Sequence, residues 1–143
     1  MDKFDFMKYA LDLAKQSANE GEVPVGAIVV CDGKIVGEGR NRREVVKNAL
    51  HHAEIEAIDN ACKNLGGWRL WKCDLYVTLE PCPMCAAALA WAQLGRLVWG
   101  ASDPKRGFSL YSPSLLHPKT ETRSGVLEDE CSTLIKDYFK GKR

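Results

Sequence analysis

Residues 74–100, DLYVTLEPCPMCAAALAWAQLGRLVWG, contain the unit that decides the fold. The run Asp74–Leu79 predicts a buried strand, because apolar residues dominate it. The Ala-rich stretch Cys82–Leu94 favours a helix that Gly95 ends, and Arg96–Gly100 predicts a second strand. Two strands joined through a helix lie parallel to each other. The sequence therefore predicts a parallel pair of strands within a larger sheet.

The segments outside this unit add a hairpin and three more helices. Apolar residues recur every three or four positions near both ends of the chain, which is helical spacing, and Asp32-Gly33 is typical of a two-residue hairpin turn. The predicted elements are helices at 4–18, 52–64 and 127–139 and strands at 25–31 and 34–40, with a loop at 41–50 and mostly loop at 101–124. The order α-β-β-α-β-α-β-α predicts an α/β fold, in which helices cover both faces of a mixed sheet.

Length and composition limit the class of protein. The chain has 143 residues, which fits a single domain over 1–143. It has 20 Lys and Arg against 19 Asp and Glu, so a generally polycationic nucleic-acid coat is excluded, although a local basic patch is not. No apolar run approaches the roughly 20 residues of a membrane-spanning helix, and residues 1–5, MDKFD, do not begin a signal peptide. We therefore expect a cytoplasmic protein with no membrane partner.

Two short motifs carry the chemistry, HAE at 52–54 and PCPMC at 81–85, each at the predicted start of a helix. Cys82 and Cys85 are three positions apart, so their thiols share a helix face, and the N-terminal end of a helix favours thiolates. With a neutral nitrogen of His52 they make three ligands, a set that suits zinc better than magnesium or calcium. Because a structural zinc site usually has four protein ligands, three ligands indicate a catalytic site with one open position.

Glu54 supplies an acid–base group beside this ion. A carboxylate in that place can take a proton from zinc-activated water and return it to a ring nitrogen and to departing ammonia. This chemistry predicts a hydrolytic deaminase acting on an amidine ring carbon, and zinc deaminases share this pair of motifs. The alternative is a closed structural zinc site, with Cys73, His117 or, less favourably placed, His51 as the fourth ligand.

Motifs along most of the chain also carry a family resemblance. They are GEVPVGA at 21–27, Asn41, HAE at 52–54, WRL at 68–70, LYVTLEPCPMC at 75–85, GA at 100–101, DPK at 103–105, GVL at 125–127 and EC at 130–131. In these motifs the chain resembles the bacterial tRNA adenosine deaminase family, within the zinc-dependent cytidine deaminase superfamily.

The resemblance implies a fold, an activity and a site. The fold is a three-layer α/β/α cytidine deaminase-like fold with a central mixed five-stranded sheet, and the chain is expected to form a homodimer. The activity is that of a zinc-dependent hydrolase, with one Zn²⁺ per chain, that converts adenosine to inosine at the wobble position of a tRNA anticodon. The implied metal ligands are His52, Cys82 and Cys85; the catalytic proton shuttle is Glu54; the base-binding amide is Asn41; and the pocket walls are Val25 and Ala53.

Three segments depart from the family pattern. NALH at 48–51 stands where Asp-Pro-Thr-Ala is expected, RGFSLYSP at 106–113 replaces a Gly-rich segment, and ETR at 121–123 replaces an Asn-His. These changes leave open a second function, the deamination of a free base or nucleoside of the guanine, cytosine, cytidine or adenine type. They also leave open a non-catalytic, zinc-stabilised binding module. Tyr111 or Phe108 either stacks on a base or packs in the core.

Two further sets of residues have two interpretations each. The arginines beside Asn41 and the basic residues near the C-terminus either contact RNA phosphates or are merely solvated. They are Arg40, Arg42 and Arg43, and Lys136, Lys140, Lys142 and Arg143. Trp91, Leu94 and Trp99 are candidate dimer-interface residues, and burial in the core would explain them equally well.

Overall fold

The computed structural model describes residues 1–142, and Arg143 of the basic C-terminal set lies outside the described residues. The helices are α1 (Lys3–Asn19), α2 (Arg43–Val46), α3 (Ala53–Leu65), α4 (Pro83–Trp91) and α5 (Glu128–Lys140). The strands are β1 (Gly26–Cys31), β2 (Lys34–Arg40), β3 (Cys73–Leu79), β4 (Arg96–Ala101) and β5 (Glu121–Arg123). Two short 3₁₀ helices, Phe108–Leu110 and Pro113–Leu115, lie between β4 and β5.

The five strands form one mixed sheet in the order β2–β1–β3–β4–β5. β1 runs antiparallel to both β2 and β3, whereas the β3–β4 and β4–β5 pairs are parallel. The predicted parallel pair of β3 and β4 is therefore confirmed. The hairpin between β1 and β2 turns at Asp32 and Gly33, whose φ angles of 51° and 74° are those that a tight two-residue turn requires.

Alternate residues of β1 point to opposite faces of the sheet, into two separate hydrophobic clusters. Helices cover both clusters, so the fold has three layers. Ala27 and Val29 face the cluster that includes the buried alanines and leucines of α3 and α4. Ile28 and Val30 face the cluster under α1 and α5. The three-layer α/β/α fold with a five-stranded sheet is thus confirmed.

Helix α3 lies unusually close to β2, because glycines of the strand meet alanines of the helix. A Cβ atom added at Gly37 would lie 2.7 Å from the backbone nitrogen of Ala61, and one added at Gly39 would lie 2.6 Å from that of Ala57. Ala57 and Ala61 are completely buried. The backbones of helix and strand are therefore in direct contact, which fixes the position of the start of α3 relative to the sheet.

Two predictions of local structure were wrong in detail. The expected loop at 41–50 contains the short helix α2, because the buried carboxylate of Glu22 accepts hydrogen bonds from the backbone nitrogens of Glu44 and Val45 at 3.2 and 2.7 Å. Helix α4 ends at Trp91 rather than Leu94, since the chain reverses with Gln93 at a φ of 57°. Within residues 1–142, no helix is long and apolar enough to cross a membrane.

Candidate metal centre

Both predicted motifs lie at helix starts on one side of the sheet. His52 is the N-cap of α3, Cys82 is the N-cap of α4, and Cys85 follows in the first turn of α4. Pro83 occupies the beginning of α4, where the fixed φ of proline favours helix initiation. The carboxyl end of β3 therefore brings both cysteines to the start of α3.

The three side chains converge on one point. The Sγ atoms of Cys82 and Cys85 lie 3.7 and 3.5 Å from the Nδ1 atom of His52, and all three ligand atoms lie within 4.8 Å of one another. Atoms bound to a tetrahedral zinc ion at about 2.0–2.3 Å lie roughly 3.5–3.8 Å apart. Both the donor types and their spacing thus fit Zn²⁺.

The thiols and the imidazole change one another's protonation. Hydrogen bonds with Cys85 and His52 lower the pKa of Cys82 to about 4, although burial acts in the opposite direction. The hydrogen bond with Cys82 raises the pKa of His52. The same kind of contact with Cys82, together with burial, raises the pKa of Cys85. These contacts therefore favour the thiolate of Cys82, the form in which cysteine binds metals.

Glu54 lies in the first turn of α3 and is only 4% exposed. Burial raises the pKa of its carboxyl group to about 7, although the neighbouring Cys85 thiol acts in the opposite direction. A carboxyl group with a pKa near neutrality is suited both to accept and to donate a proton. The geometry thus places an acid–base group directly beside the candidate metal ligands.

The three candidates for a fourth ligand point elsewhere. The Nε2 atom of His51 lies 2.6 Å from the carboxylate of Glu56. Cys73 lies at the far end of β3, opposite Cys31 of the antiparallel strand β1. His117 accepts a hydrogen bond from the backbone nitrogen of Lys119. In the part of the chain that the structure describes, the converging ligands number three, which matches a catalytic rather than a closed structural site.

Asn41 follows β2 and is held from several directions. Its backbone nitrogen donates to Val25 O at 3.1 Å, and its backbone oxygen accepts from the Ser17 hydroxyl at 2.8 Å. Its Nδ2 atom donates to Val23 O at 3.3 Å. Its Oδ1 atom is buried and has no hydrogen-bond partner within the described chain. An unpartnered buried acceptor is costly, so a donor from a ligand would stabilise it.

The two residues predicted to be pocket walls are both buried. Val25 is 9% exposed and Ala53 is completely buried, and both belong to the hydrophobic cluster beneath α3 and α4. Ala53 lies between His52 and Glu54 in sequence, and Val25 is tied to Asn41 through its carbonyl. Their role as walls of a base pocket stays a prediction.

Sequence reasoning missed Glu80, which anchors the segment that follows β4. Its buried carboxylate accepts hydrogen bonds from the backbone nitrogens of Asp103 and Ser109 at 3.2 and 3.0 Å and from the Ser109 hydroxyl at 2.6 Å. Gly107 packs directly against the same carboxylate, where a Cβ atom would overlap it. The available signal was the position of Glu80, a charged residue directly between an apolar strand and the PCPMC motif. A carboxylate buried at such a place needs hydrogen-bond partners, which indicates an anchoring role.

The altered segment at 106–113 divides between core and surface. Phe108 is 3% exposed and packs edge-on against Trp99, with ring centroids 5.5 Å apart, so it is a core residue. Tyr111 is 64% exposed. Phe108 and Trp99 also line a cavity of about 420 Å³, together with Leu116 and His117.

Among the candidate interface residues, Leu94 and Trp99 are buried, whereas Trp91 is 82% exposed.

A three-layer α/β/α fold with this ligand set and a buried glutamate beside it defines a class, the zinc-dependent hydrolytic deaminases. The family model of the MafB19-like deaminases matches residues 1–143. A tRNA-specific adenosine deaminase of Bacillus subtilis is 43% identical, over 96% of this chain and 89% of that protein. The chain belongs to the tRNA-specific adenosine deaminase family.

Solved structures of deaminases share this fold. One comes from a study of A-to-I editing by tRNA:A34 deaminases at the wobble position of transfer RNA. It superposes with a TM-score of 0.84 at 40% identity, over 91% of this chain and 98% of that one. A guanine deaminase from Bacillus subtilis is also 40% identical, with a TM-score of 0.68 over 71% of this chain and 66% of that one.

Proposed function

We propose that this protein converts adenosine to inosine at the wobble position of a tRNA anticodon. The observation that carries the chemistry is the buried Glu54 carboxyl beside the three converging ligands. The relative and the structure that are described as tRNA deaminases support the choice of substrate. We further propose that residues 1–143 form one deaminase domain and that the enzyme acts in the cytoplasm.

The proposed mechanism assigns a role to each group of the site. His52, Cys82 and Cys85 would hold one Zn²⁺, which when bound activates water at neutral pH. Glu54 takes a proton from the attacking water and delivers it to the ring nitrogen next to the reacting carbon. It then passes the second proton to the amino group, which leaves as ammonia. Its pKa of about 7 suits a group that must do both.

Asn41 is the proposed base-recognition residue. Its backbone and Nδ2 hydrogen bonds fix the amide, so that the unpartnered Oδ1 atom can accept a hydrogen bond from the base. Val25 and Ala53 would bound the pocket on either side of the ring. These assignments predict that Asn41→Ala weakens base recognition and leaves the metal ligands in place.

A homodimer is part of the proposal. Trp91 supports it, because an indole ring that is 82% exposed at the end of α4 is a common anchor of protein interfaces. A mass of two chains in light scattering at working concentration is expected. A mass of one chain at that concentration would contradict the proposed homodimer.

The test of function is inosine formation on an anticodon stem-loop, with ammonia release as the second product. Glu54→Ala should lower the rate by about 10²- to 10⁴-fold, which is the usual contribution of general acid–base catalysis. Asp59→Asn is the matched control, since Asp59 lies on the same helix and forms only an exposed pair with Lys63. Undiminished activity of Glu54→Ala would exclude the proton-shuttle role.

The 40% identity to a guanine deaminase favours a second candidate function, the deamination of a free base. A panel of guanine, cytosine, cytidine, adenine and adenosine, run beside the stem-loop, separates the two functions. Turnover of a free base with none on RNA would establish the second. A non-catalytic zinc module predicts no turnover of any substrate and a cobalt-substituted spectrum without a solvent ligand.

A further inference from the structure

The loop at 42–51 connects the two halves of the proposed site. It begins directly after Asn41, the proposed base-recognition residue, and ends directly before His52, a candidate metal ligand. The ends of the loop meet, because the backbone nitrogen of Arg42 donates to the backbone oxygen of His51 at 3.1 Å. We call this meeting point, formed by Arg42 and His51, the neck of the loop.

One side chain binds both residues of the neck. The carboxylate of Glu56 accepts from the Nη2 and Nε atoms of Arg42 at 2.8 and 3.1 Å, which is a bidentate pair. Its Oε2 atom also accepts from Nε2 of His51 at 2.6 Å. The side chain of Glu56 is only 13% exposed, so water screens these bonds less than those of a surface ion pair.

The neck would be weak without this carboxylate. One backbone hydrogen bond contributes little net stability on its own, and the Glu22 carboxylate holds the loop elsewhere, at the backbone nitrogens of Glu44 and Val45. Much of the loop is solvent-exposed, including the side chains of Val45, Val46 and Leu50. Glu56 lies one turn beyond His52 on α3, the helix that also carries Glu54. Its bonds therefore connect the residue next to Asn41 to the helix that carries the catalytic carboxyl.

We propose that Glu56 is a positioning residue, which closes the neck at Arg42 and His51. It thereby adds to the bonds that Asn41 makes with Ser17, Val23 and Val25 in setting the place of Asn41 relative to His52 and Glu54. This inference rests on the proposed roles of Asn41 and Glu54. His51 belongs to the segment 48–51, which departs from the family pattern. Orientation within about 1 Å affects rates strongly, and Glu56 acts on the rate through Asn41.

The kinetic test is a double-mutant cycle of Glu56→Gln and Asn41→Ala, with enzyme in excess over the substrate that the panel identifies. Glu56→Gln removes the charge and the bidentate pairing but keeps the side-chain shape. We expect it to lower the single-turnover rate at least tenfold in the wild-type background and less than twofold in the Asn41→Ala background. Equal losses in both backgrounds would show that Glu56 does not act through Asn41 and would overturn the proposal.

A second measurement needs no activity. Amide hydrogen exchange of the full chain should be at least fivefold faster across 42–51 in Glu56→Gln, at unchanged bound zinc per chain, and unaltered in the Asp59→Asn control. Unchanged exchange in Glu56→Gln would show that Glu56 does not close the neck and would overturn the proposal. A wild-type enzyme that turns over a free base and not RNA would contradict only the proposed substrate. The double-mutant cycle would then be measured with that base, so the role of Glu56 would still be tested.

Discussion

Gly39→Ala tests whether the direct contact between β2 and α3 places the catalytic groups. The added Cβ atom would lie 2.6 Å from the backbone nitrogen of Ala57 and 2.8 Å from the Cβ atom of Glu56, and closer still to the carbonyl oxygen of Ala53. None of these neighbours is the end of a flexible side chain. The helix itself must therefore move away from the strand.

The size of the movement follows from ordinary contact distances. Relief of the 2.6 Å approach alone to 3.4 Å requires a displacement of at least about 0.8 Å at the start of α3. Overpacking of this kind costs about 1–3 kcal/mol of the free energy of unfolding. Because His52 and Glu54 adjoin Ala53, the same shift moves both relative to Cys82. A misplacement of about 1 Å can lower a catalytic rate by about 10²-fold.

Two assays measure the two consequences. Urea unfolding gives the change in the free energy of unfolding, and deamination at matched zinc content gives the rate. Gly67→Ala is the control, because Gly67 has no neighbour within 4 Å of an added Cβ atom, and its stability should change by less than about 0.5 kcal/mol. If Gly39→Ala were as stable and as active as Gly67→Ala, direct backbone contact would not be what positions α3.

Two further predictions concern buried and half-buried carboxylates. Glu80→Ala should lower the free energy of unfolding by about 2–4 kcal/mol, measured in urea, because it leaves donors of Asp103 and Ser109 without a partner; a loss below 1 kcal/mol would contradict this anchoring role. Burial acts to raise the pKa of Glu56, but hydrogen bonds from Arg42 and His51 lower it on balance. The stability that this carboxylate contributes is therefore present above its unfolded pKa of about 4.3 and is lost as the pH falls through its lower folded value. The difference in unfolding free energy between wild type and Glu56→Gln should thus shrink as the pH falls from about 5 to about 3, and a constant difference across that range would refute the assignment.

The sequence was most informative where the signal was local. The parallel β3–β4 unit, the Asp32-Gly33 hairpin and the spacing of Cys82 and Cys85 each depend on a few neighbouring residues, and the structure contains all three. The convergence of His52 on the two cysteines depends on the whole fold. It was expected because the two motifs together are specific, although 30 positions separate His52 from Cys82.

What the sequence did not reveal depends on distant partners. β5 has three residues, all exposed, so it lacks any apolar pattern and follows only from its pairing with β4. Glu22, Glu56 and Glu80 look like surface carboxylates in the sequence, because their partners lie elsewhere in the chain. The functions assigned to Asn41 and to Glu54 stay predictions until the variants are measured.

The hairpin between β1 and β2 has a practical consequence for labelling. Cys31, just before the turn, lies opposite Cys73 at the amino end of the neighbouring strand β3. The candidate metal ligands Cys82 and Cys85 follow the carboxyl end of that strand. Six residue steps of about 3.3 Å along β3 separate the two ends by roughly 20 Å. Asp32 and Gly33 are both exposed. A fluorophore or affinity handle inserted at this tip would report on binding or immobilise the enzyme while leaving the reaction centre open to a large polynucleotide.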